Sequence, residues 1–440
     1  MIPRADYDVI VLGGGPAGLA AAIGASAKGA RVGLIEREER LGGILKQCVH
    51  DGFGLKRFGE GLTGPEYARR YIDLCAATST KVHLETFVHR VRREGGKGSG
   101  RRFVLECVSG AEGVREIAAP ALVLATGCRE RTDRQVFIHG DRPAGILTAG
   151  LAQRLVNIEG LLPGKKAVML GSGDIGLIMA RRLALEGMAV EGVYEIKAEP
   201  SGLARNLQQC LDDFGIPLHL RSTVTAVHGK KRVEAVTVAE VDERGRPRSG
   251  TERIVPCDTL VLSVGLIPED EIAASLGLTL DPATRGPRVD QFGASAVDGV
   301  YVCGNALHVN DLVDYVSESG ATTGAAAAAF ALETTAIETI GPGSGRRAIR
   351  IKAGAGFLYA VPQFLDISRP GRAIVYFRSN ATIRDGARVR IKAEGAAIFD
   401  KLYTALRPPE MERVELDIAA IPARSESLLL ELERREAVHE

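Results

Sequence analysis

Gly13-Gly14-Gly15-Pro16-Ala17-Gly18 follows a short apolar run, Asp8–Leu12, and precedes an alanine-rich segment of helical spacing, Leu19–Lys28. Strand, glycine turn and helix in that order open a dinucleotide-binding unit. Gly13 permits the tight turn. Gly15 removes the side chain that would stand where a pyrophosphate lies, and Gly18 lets the helix approach the strand. Pro16 and Ala17 begin a helix whose free N–H groups and dipole face the phosphates. Gly29 stops that helix, and Arg31–Ile35 reads as a second strand. Glu36 ends it, where a carboxylate accepts both hydroxyls of an adenosine ribose.

The arrangement returns further along. Lys165–Leu170 is a strand opened by Pro163-Gly164, and Gly171-Ser172-Gly173-Asp174-Ile175-Gly176 is the turn. Ile178–Glu186 is a helix closed by Gly187, and Ala189–Tyr194 is the next strand. Glu195 follows it. Its charge opposes the 2′-phosphate of NADP, so NADH is the expected partner, with Lys197 two residues on as a partial offset.

The rest of the chain fits around these two units. Lys81–Val91, Arg102–Val108 and Ala121–Leu124 read as strands, as do parts of Val224–Val241, Thr259–Val264 and Gly299–Cys303. A long alanine-rich helix then runs to about Ile340. Gly341–Gly345 reads as a linker, and beyond it Ala348–Lys352, Ala373–Arg378, Ala387–Lys392 and Arg413–Asp417 alternate apolar and charged residues. Ser425–Glu440 has helical spacing. The expected fold is α/β: two nested Rossmann-like dinucleotide-binding domains plus a small C-terminal β-rich domain. The expected boundaries are 1–150 with 278–340 for FAD, 151–277 for NAD, and 341–440 for the β-rich part. That last part is expected to be unnecessary for binding either nucleotide and free for docking or a homo-oligomer interface.

Composition closes off several classes. Among 440 residues, 56 Lys and Arg against 55 Asp and Glu give a net charge of +1, which offers no general argument for binding nucleic acid or an anionic membrane, and no nucleic-acid partner is expected. A composition of 45% hydrophobic and 25% charged residues is that of a globular protein. Neither a signal peptide nor a spanning apolar stretch is visible. The seven cysteines, Cys48, Cys75, Cys107, Cys128, Cys210, Cys257 and Cys303, include no C-x-x-C pair, so no metal site is expected and a cytoplasmic location is.

The order GGGPAG, LVLATGCRE (Leu122–Glu130), GSGDIG, LVLSVGLIP (Leu260–Pro268) and GVYVCGN (Gly299–Asn305) resembles the pyridine nucleotide–disulfide oxidoreductase superfamily over roughly residues 5–335. The resemblance implies FAD against Ala125-Thr126-Gly127, with Arg37, Gly43 and Val88 also lining it. Gly304-Asn305 stands where the superfamily has Gly-Asp against the ribityl–pyrophosphate; an Asn keeps hydrogen bonding but no charge. It implies NAD(H) against the second turn and Gly265. One departure decides the chemistry. Gly42-Gly43 is followed by Cys48 alone, whereas a redox disulfide needs two sulfurs at bonding distance. Cys48 is expected near the flavin, as a structural thiol rather than a redox one, and no other catalytic residue is assigned. His50, His139 and His308 read as ordinary polar residues, since hydride transfer from a nicotinamide needs no base there.

Longer strings narrow the likeness. Gly42–Leu55 (GGILKQCVHDGFGL), Arg57–Arg70 (RFGEGLTGPEYARR) and Cys303–Gly320 resemble FAD/NAD(P)-dependent oxidoreductases found beside glycerol-3-phosphate dehydrogenases. They are also similar to alpha-type subunits of dye-linked proline dehydrogenase and hydrogen cyanide synthase. The resemblance implies a dehydrogenase-like flavoprotein as partner, acting on glycerol 3-phosphate or an amino acid, and a small Cys-rich iron–sulfur protein as a bridge. A free-standing NADH oxidase or diaphorase is the alternative.

Overall fold

A computed structural model describes residues 5–95, 102–337 and 347–434. The chain divides into two compact units: residues 1–128 with 268–440, and 129–267.

In the first unit, Val9–Leu12 lies at the centre of a five-stranded parallel sheet. Val32–Ile35 and then Lys81–His83 lie on one side of it, Ala121–Leu124 and then Val300–Val302 on the other. The three inner strands are buried along their whole length, which is why they read as unbroken apolar runs. The helix Pro16–Ser26 covers one face together with the long helix Val313–Ile337. The two helices approach backbone to backbone. A Cβ on Gly320 or Gly324 would come within 2.2 Å of the Ala17 or Ala21 carbonyl oxygen, so the alanine-and-glycine composition here is a packing requirement. On the other face, Thr86–Glu94, Arg102–Ser109 and Gly113–Ala119 form an antiparallel meander over Ile10, Ile35 and Leu122. The apolar stretch 81–91, read as one strand, breaks at Glu85, whose φ of 49° turns the chain from the parallel sheet into the meander.

The second unit repeats the order. Lys166–Leu170 is central, with Ala189–Glu195 and Leu218–Leu220 on one side, and Thr259–Leu262 and Ile146–Thr148 on the other. Ile146–Thr148 is thus an edge strand of this sheet, so residues 129–150 go with the second unit and not with the first. Likewise residues 268–277 go with the first. The alternating stretch 224–241 is two antiparallel strands, Ser222–His228 and Ala235–Glu240.

Within the first unit, residues 347–434 form a β-rich portion of two sheets. One has the order Phe364–Asp366, Ala348–Ala353, Ser427–Arg434, Ala387–Ala393, Ala396–Tyr403; the other is Phe357–Val361, Arg372–Ser379, Glu412–Asp417. Ile351, Val375, Phe377, Val389 and Leu430 fill the space between them. Of the stretch 425–440, whose helical spacing and heavy charge fit a surface helix or a frayed tail, Ser427–Arg434 is a strand, and 435–440 lie outside the described residues. Leu428 and Leu430 are buried while Leu429 is 37% exposed, a period of two imposed by pairing with Ala387–Ala393 and Ala348–Ala353. The linker at 341–345 lies outside the described residues. No helix among the described residues is long and apolar enough to cross a membrane.

Candidate nucleotide-binding sites

The two glycine turns share one internal logic. A Cβ on Gly13 would lie 2.4 Å from the Ala125 carbonyl oxygen, and one on Gly171 2.1 Å from that of Ser263. A Cβ on Gly18 would lie 1.7 Å from the Gly13 oxygen, and one on Gly176 2.7 Å from the Gly171 oxygen. The first and third glycines are therefore demanded by the chain's own atoms. The middle ones are not: nothing lies nearer than 3.9 Å to a Cβ on Gly15, or 3.7 Å on Gly173. Glycine at these positions keeps open a space beside the helix N-terminus that the protein itself does not use.

That terminus is also left free of side-chain partners. Neither Gly15 nor Gly173, the residues capping the two helices, supplies a side-chain hydrogen bond. Two other helices of similar length are capped by side chains: Thr63 and Glu66 form a capping box at Gly64–Ala76, and Thr148 accepts from the Leu151 N–H at Ala149–Asn157. Unpaired N–H groups at a positive dipole end, beside vacant space, fit a pyrophosphate.

Each turn is tied to its acid. Glu36, 7% exposed, accepts the Gly14 N–H (2.7 Å) through Oε2 and the Glu38 N–H (2.9 Å) through Oε1. Glu195, 4% exposed, accepts the Ser172 N–H (3.0 Å) and hydroxyl (2.6 Å) through Oε2, and the Lys197 N–H (3.0 Å) through Oε1. One donor on an oxygen leaves a lone pair for a ribose hydroxyl. Glu36 keeps that capacity on both oxygens, Glu195 mainly on Oε1. Sequence reasoning missed position two of each turn, Gly14 or Ser172. Its signal is that the residue lies between the first two glycines of the turn, within reach of the acid.

The remaining expected residues fall in three groups. Gly42 donates to the Gly14 oxygen (2.9 Å), and a Cβ on Gly43 would lie 3.0 Å from the Gly15 Cα, so this glycine pair lies on the first turn. Ala125 follows the neighbouring strand, with its N–H on the Leu12 oxygen. Thr126 donates to the Glu269 oxygen (2.8 Å), and Gly127, at φ +76°, has open space around its Cβ position. Gly304 also belongs here, since its Cβ would meet that of Ala17 at 2.7 Å. In the second unit Gly265 accepts the Arg131 N–H, and Ile175 is exposed.

Other residues are engaged elsewhere. The side chain of Val88 is packed in the core under the meander, and Arg37 is exposed. Asp174 Oδ1 accepts from Leu203 N (2.9 Å) and Asn206 Nδ2 (2.6 Å), fastening the loop after Glu195. Asn305 Oδ1 accepts from Asn310 N (3.0 Å) and Nδ2 (3.3 Å). Cys48 is half-buried with its thiol on the Ile44 oxygen (3.4 Å), and burial pushes it up to about 12. A thiol at that value is protonated at neutral pH and is no nucleophile. His139 is exposed in a strand pair with Ala226, and His50 contacts the Asp51 oxygen. His308 is buried beside Tyr359 and Tyr376, and burial, then the charge of Arg378, takes it down to about 3.

Two parallel sheets of the same order, each with an uncapped glycine turn and a buried acid, define a protein with two dinucleotide folds. The chain belongs to the pyridine nucleotide-disulphide oxidoreductase family, whose model matches residues 7–329. FAD and NAD(P) are the cofactors of that family. Among curated relatives, an opine oxidase subunit of Agrobacterium tumefaciens is 26% identical, over 69% of this chain and 62% of its own. Hydrogen cyanide synthase subunit HcnB of Pseudomonas aeruginosa is 30% identical, over 61% and 59%. The chain thus spans about three fifths of the length of these relatives. Among solved structures, thioredoxin reductase of T. acidophilum shares the fold at a TM-score of 0.59 and 20% identity, over 75% of this chain and all of that one. L-Proline dehydrogenase of P. horikoshii does so at 0.52 and 22%, over 75% of this chain and 56% of that one.

Proposed function

We propose that this chain is the NADH- and FAD-binding subunit of a multi-protein dehydrogenase or oxidase. The observation that carries the reading is the pair of turns whose middle glycine serves no internal contact. In the first unit, Gly15 and the free N–H groups after it hold the FAD pyrophosphate, Glu36 takes the adenosine ribose, and Gly127 leaves room beside the strand end. In the second, Gly173 and Glu195 hold NADH in the same way. Bound together, the two cofactors supply hydride transfer between nicotinamide and flavin. The protein's part is to bind and orient them. Glu195 also excludes the extra phosphate of NADPH, because a second anion there faces a buried carboxylate.

Electrons then pass to a partner. The curated relatives are named as subunits of opine oxidase and hydrogen cyanide synthase, which supports a partner flavoprotein within a multi-subunit oxidase or dehydrogenase, and the resemblance to proline dehydrogenase subunits favours an amino acid as its substrate. A glycerol-3-phosphate dehydrogenase-like partner, with a small iron–sulfur protein as bridge, is the second reading; its support is the resemblance of the 42–70 and 303–320 strings. The test is anaerobic titration of the purified intact chain with NADH, followed by co-purification with proteins encoded beside it. The reading stands if the yellow protein bleaches with NADH and co-elutes with a dehydrogenase. A chain that binds no flavin, or that turns over NADH at full rate with a small-molecule acceptor and never co-elutes, overturns it.

A further inference from the structure

The loop 303–312 joins strand Val300–Val302 to the long helix Val313–Ile337 and carries Gly304 against Ala17 of the first glycine helix. Its inner half is closed on itself by Asn305 and Asn310. Its outer half is held by the β-rich C-terminal portion. Arg378, on strand Arg372–Ser379, pairs with both carboxylate oxygens of Asp311 and reaches the Val309 oxygen (3.5 Å). The same guanidinium donates to the Pro409 carbonyl and, through Nε, to the Tyr359 hydroxyl (2.7 Å). Asp311 also accepts the Met411 N–H at 2.6 Å. Beyond the loop, Glu318 on the long helix accepts from Arg413 (2.8 Å) and Tyr376 (3.3 Å).

The side chain of Arg378 is only 13% exposed. A buried guanidinium holds its place only when its fork of donors is matched, and here the matching acceptors are Tyr359 on the neighbouring strand, the turn at 408–409 and, for the loop, Asp311 and Val309. The fork therefore fixes the loop in position as well as orientation. Six residues before Asp311, the loop becomes Asn305 and Gly304, packed on the helix end that faces the open space at Gly15. We propose that Arg378 is a positioning residue of the FAD site, through which the C-terminal β portion completes that site instead of standing apart from it. This rests on the assignment of FAD to the first unit.

The experiment measures FAD affinity and the visible circular dichroism of bound flavin in the intact chain and three variants. Arg378→Met removes the fork, and Arg378→Lys keeps the charge without its geometry. Val389→Ala thins the core of the same portion, on a strand not paired with Arg372–Ser379. We expect Arg378→Met to weaken FAD at least tenfold and change the flavin dichroism, Arg378→Lys to recover part of both, and Val389→Ala to lower the melting temperature while leaving FAD affinity within about twofold. Should Arg378→Met not fold, Asp311→Asn takes its place, with an expected loss of at least threefold. Wild-type affinity and dichroism in the Arg378 or Asp311 variants overturn the proposal. So does a Val389→Ala protein that loses FAD in proportion to its melting temperature. A wild-type chain that takes up no FAD overturns the FAD assignment and this proposal with it, whereas a yellow wild type with indifferent variants overturns the proposal alone.

Discussion

Gly15→Ala separates a ligand's demand from the fold's demand at one methyl group. In the apoprotein the new Cβ meets nothing closer than 3.9 Å, an ordinary contact, and the backbone at Gly15 is extended (φ −75°, ψ −175°), which alanine adopts freely. Alanine is a poorer helix cap than glycine by roughly 0.5–1 kcal/mol. Reduced freedom in the unfolded chain returns about the same. The apoprotein should therefore keep its stability to within about 1 kcal/mol. With FAD the balance differs, because the methyl stands where the pyrophosphate approaches the backbone. Losing one charge-assisted N–H···O bond costs about 1.5–3 kcal/mol, or about 10- to 150-fold in affinity. Gly18→Ala is the contrast. Its Cβ would sit 1.7 Å from the Gly13 oxygen, so the apoprotein itself should lose about 3 kcal/mol or more. The assay is thermal melting of both apoproteins, then fluorescence titration with FAD. Wild-type FAD affinity in Gly15→Ala would falsify the placement of the pyrophosphate, and an apoprotein melting many degrees lower would show that Gly15 serves the fold.

Three further outcomes follow from the site. NADH should reduce the flavin far more efficiently than NADPH, and Glu195→Ser should narrow the ratio of their kcat/KM values; a wild type that prefers NADPH refutes the role given to Glu195. Cys48→Ser should leave flavin reduction by NADH within a few-fold, and Cys48 should resist alkylation at pH 7 in the folded protein, as a thiol held near 12 requires; rapid labelling, or a loss beyond about 100-fold in rate (roughly 2.7 kcal/mol), assigns it a chemical role. His308 is depressed to about 3 from an unfolded value near 6.5, so its neutral form stabilises the fold fully above pH 6.5. That stability falls as pH drops from about 6.5 towards 3, by up to about 1.4 kcal/mol per pH unit. His308→Phe should flatten the urea-midpoint profile over that range, and an unchanged slope refutes the burial argument.

Both glycine turns, both acids and the central strands were legible in the sequence, because steric rules there act over a few neighbouring residues. Gly18 and Gly176 answer to Gly13 and Gly171 within one strand–turn–helix unit, and Gly13 and Gly171, whose Cβ atoms would meet Ala125 and Ser263, also need glycine for their own turn geometry, at φ +108° and +96°. Legibility failed where a distant partner decides. Ser427–Arg434 has the leucines and charges of a helix and becomes a strand because two other strands accept it as their neighbour. Ile146–Thr148 looked like the end of the first domain, but its partner is Thr259–Leu262 of the second unit. Asp174 has the position of a nucleotide ligand, yet its carboxylate is spent on Leu203 and Asn206. The contact of Arg378 with Asp311 joins two stretches whose sequences give no sign of each other.

The clasp of Gly320 and Gly324 against Ala17 and Ala21 also sets an order of birth for the molecule. During synthesis the helix Pro16–Ser26 emerges early, but its covering helix and the edge strand Val300–Val302 emerge only after the whole of 129–267 has been made. At about 5–20 residues per second, the first sheet waits on the order of ten seconds or more with that face uncovered. Residues 129–267 are contiguous and close their own sheet without waiting. The inserted unit should thus mature first on the ribosome, and nascent chains arrested shortly after it has cleared the exit tunnel should show a protease-resistant core within 129–267 while residues 5–128 are still cleaved.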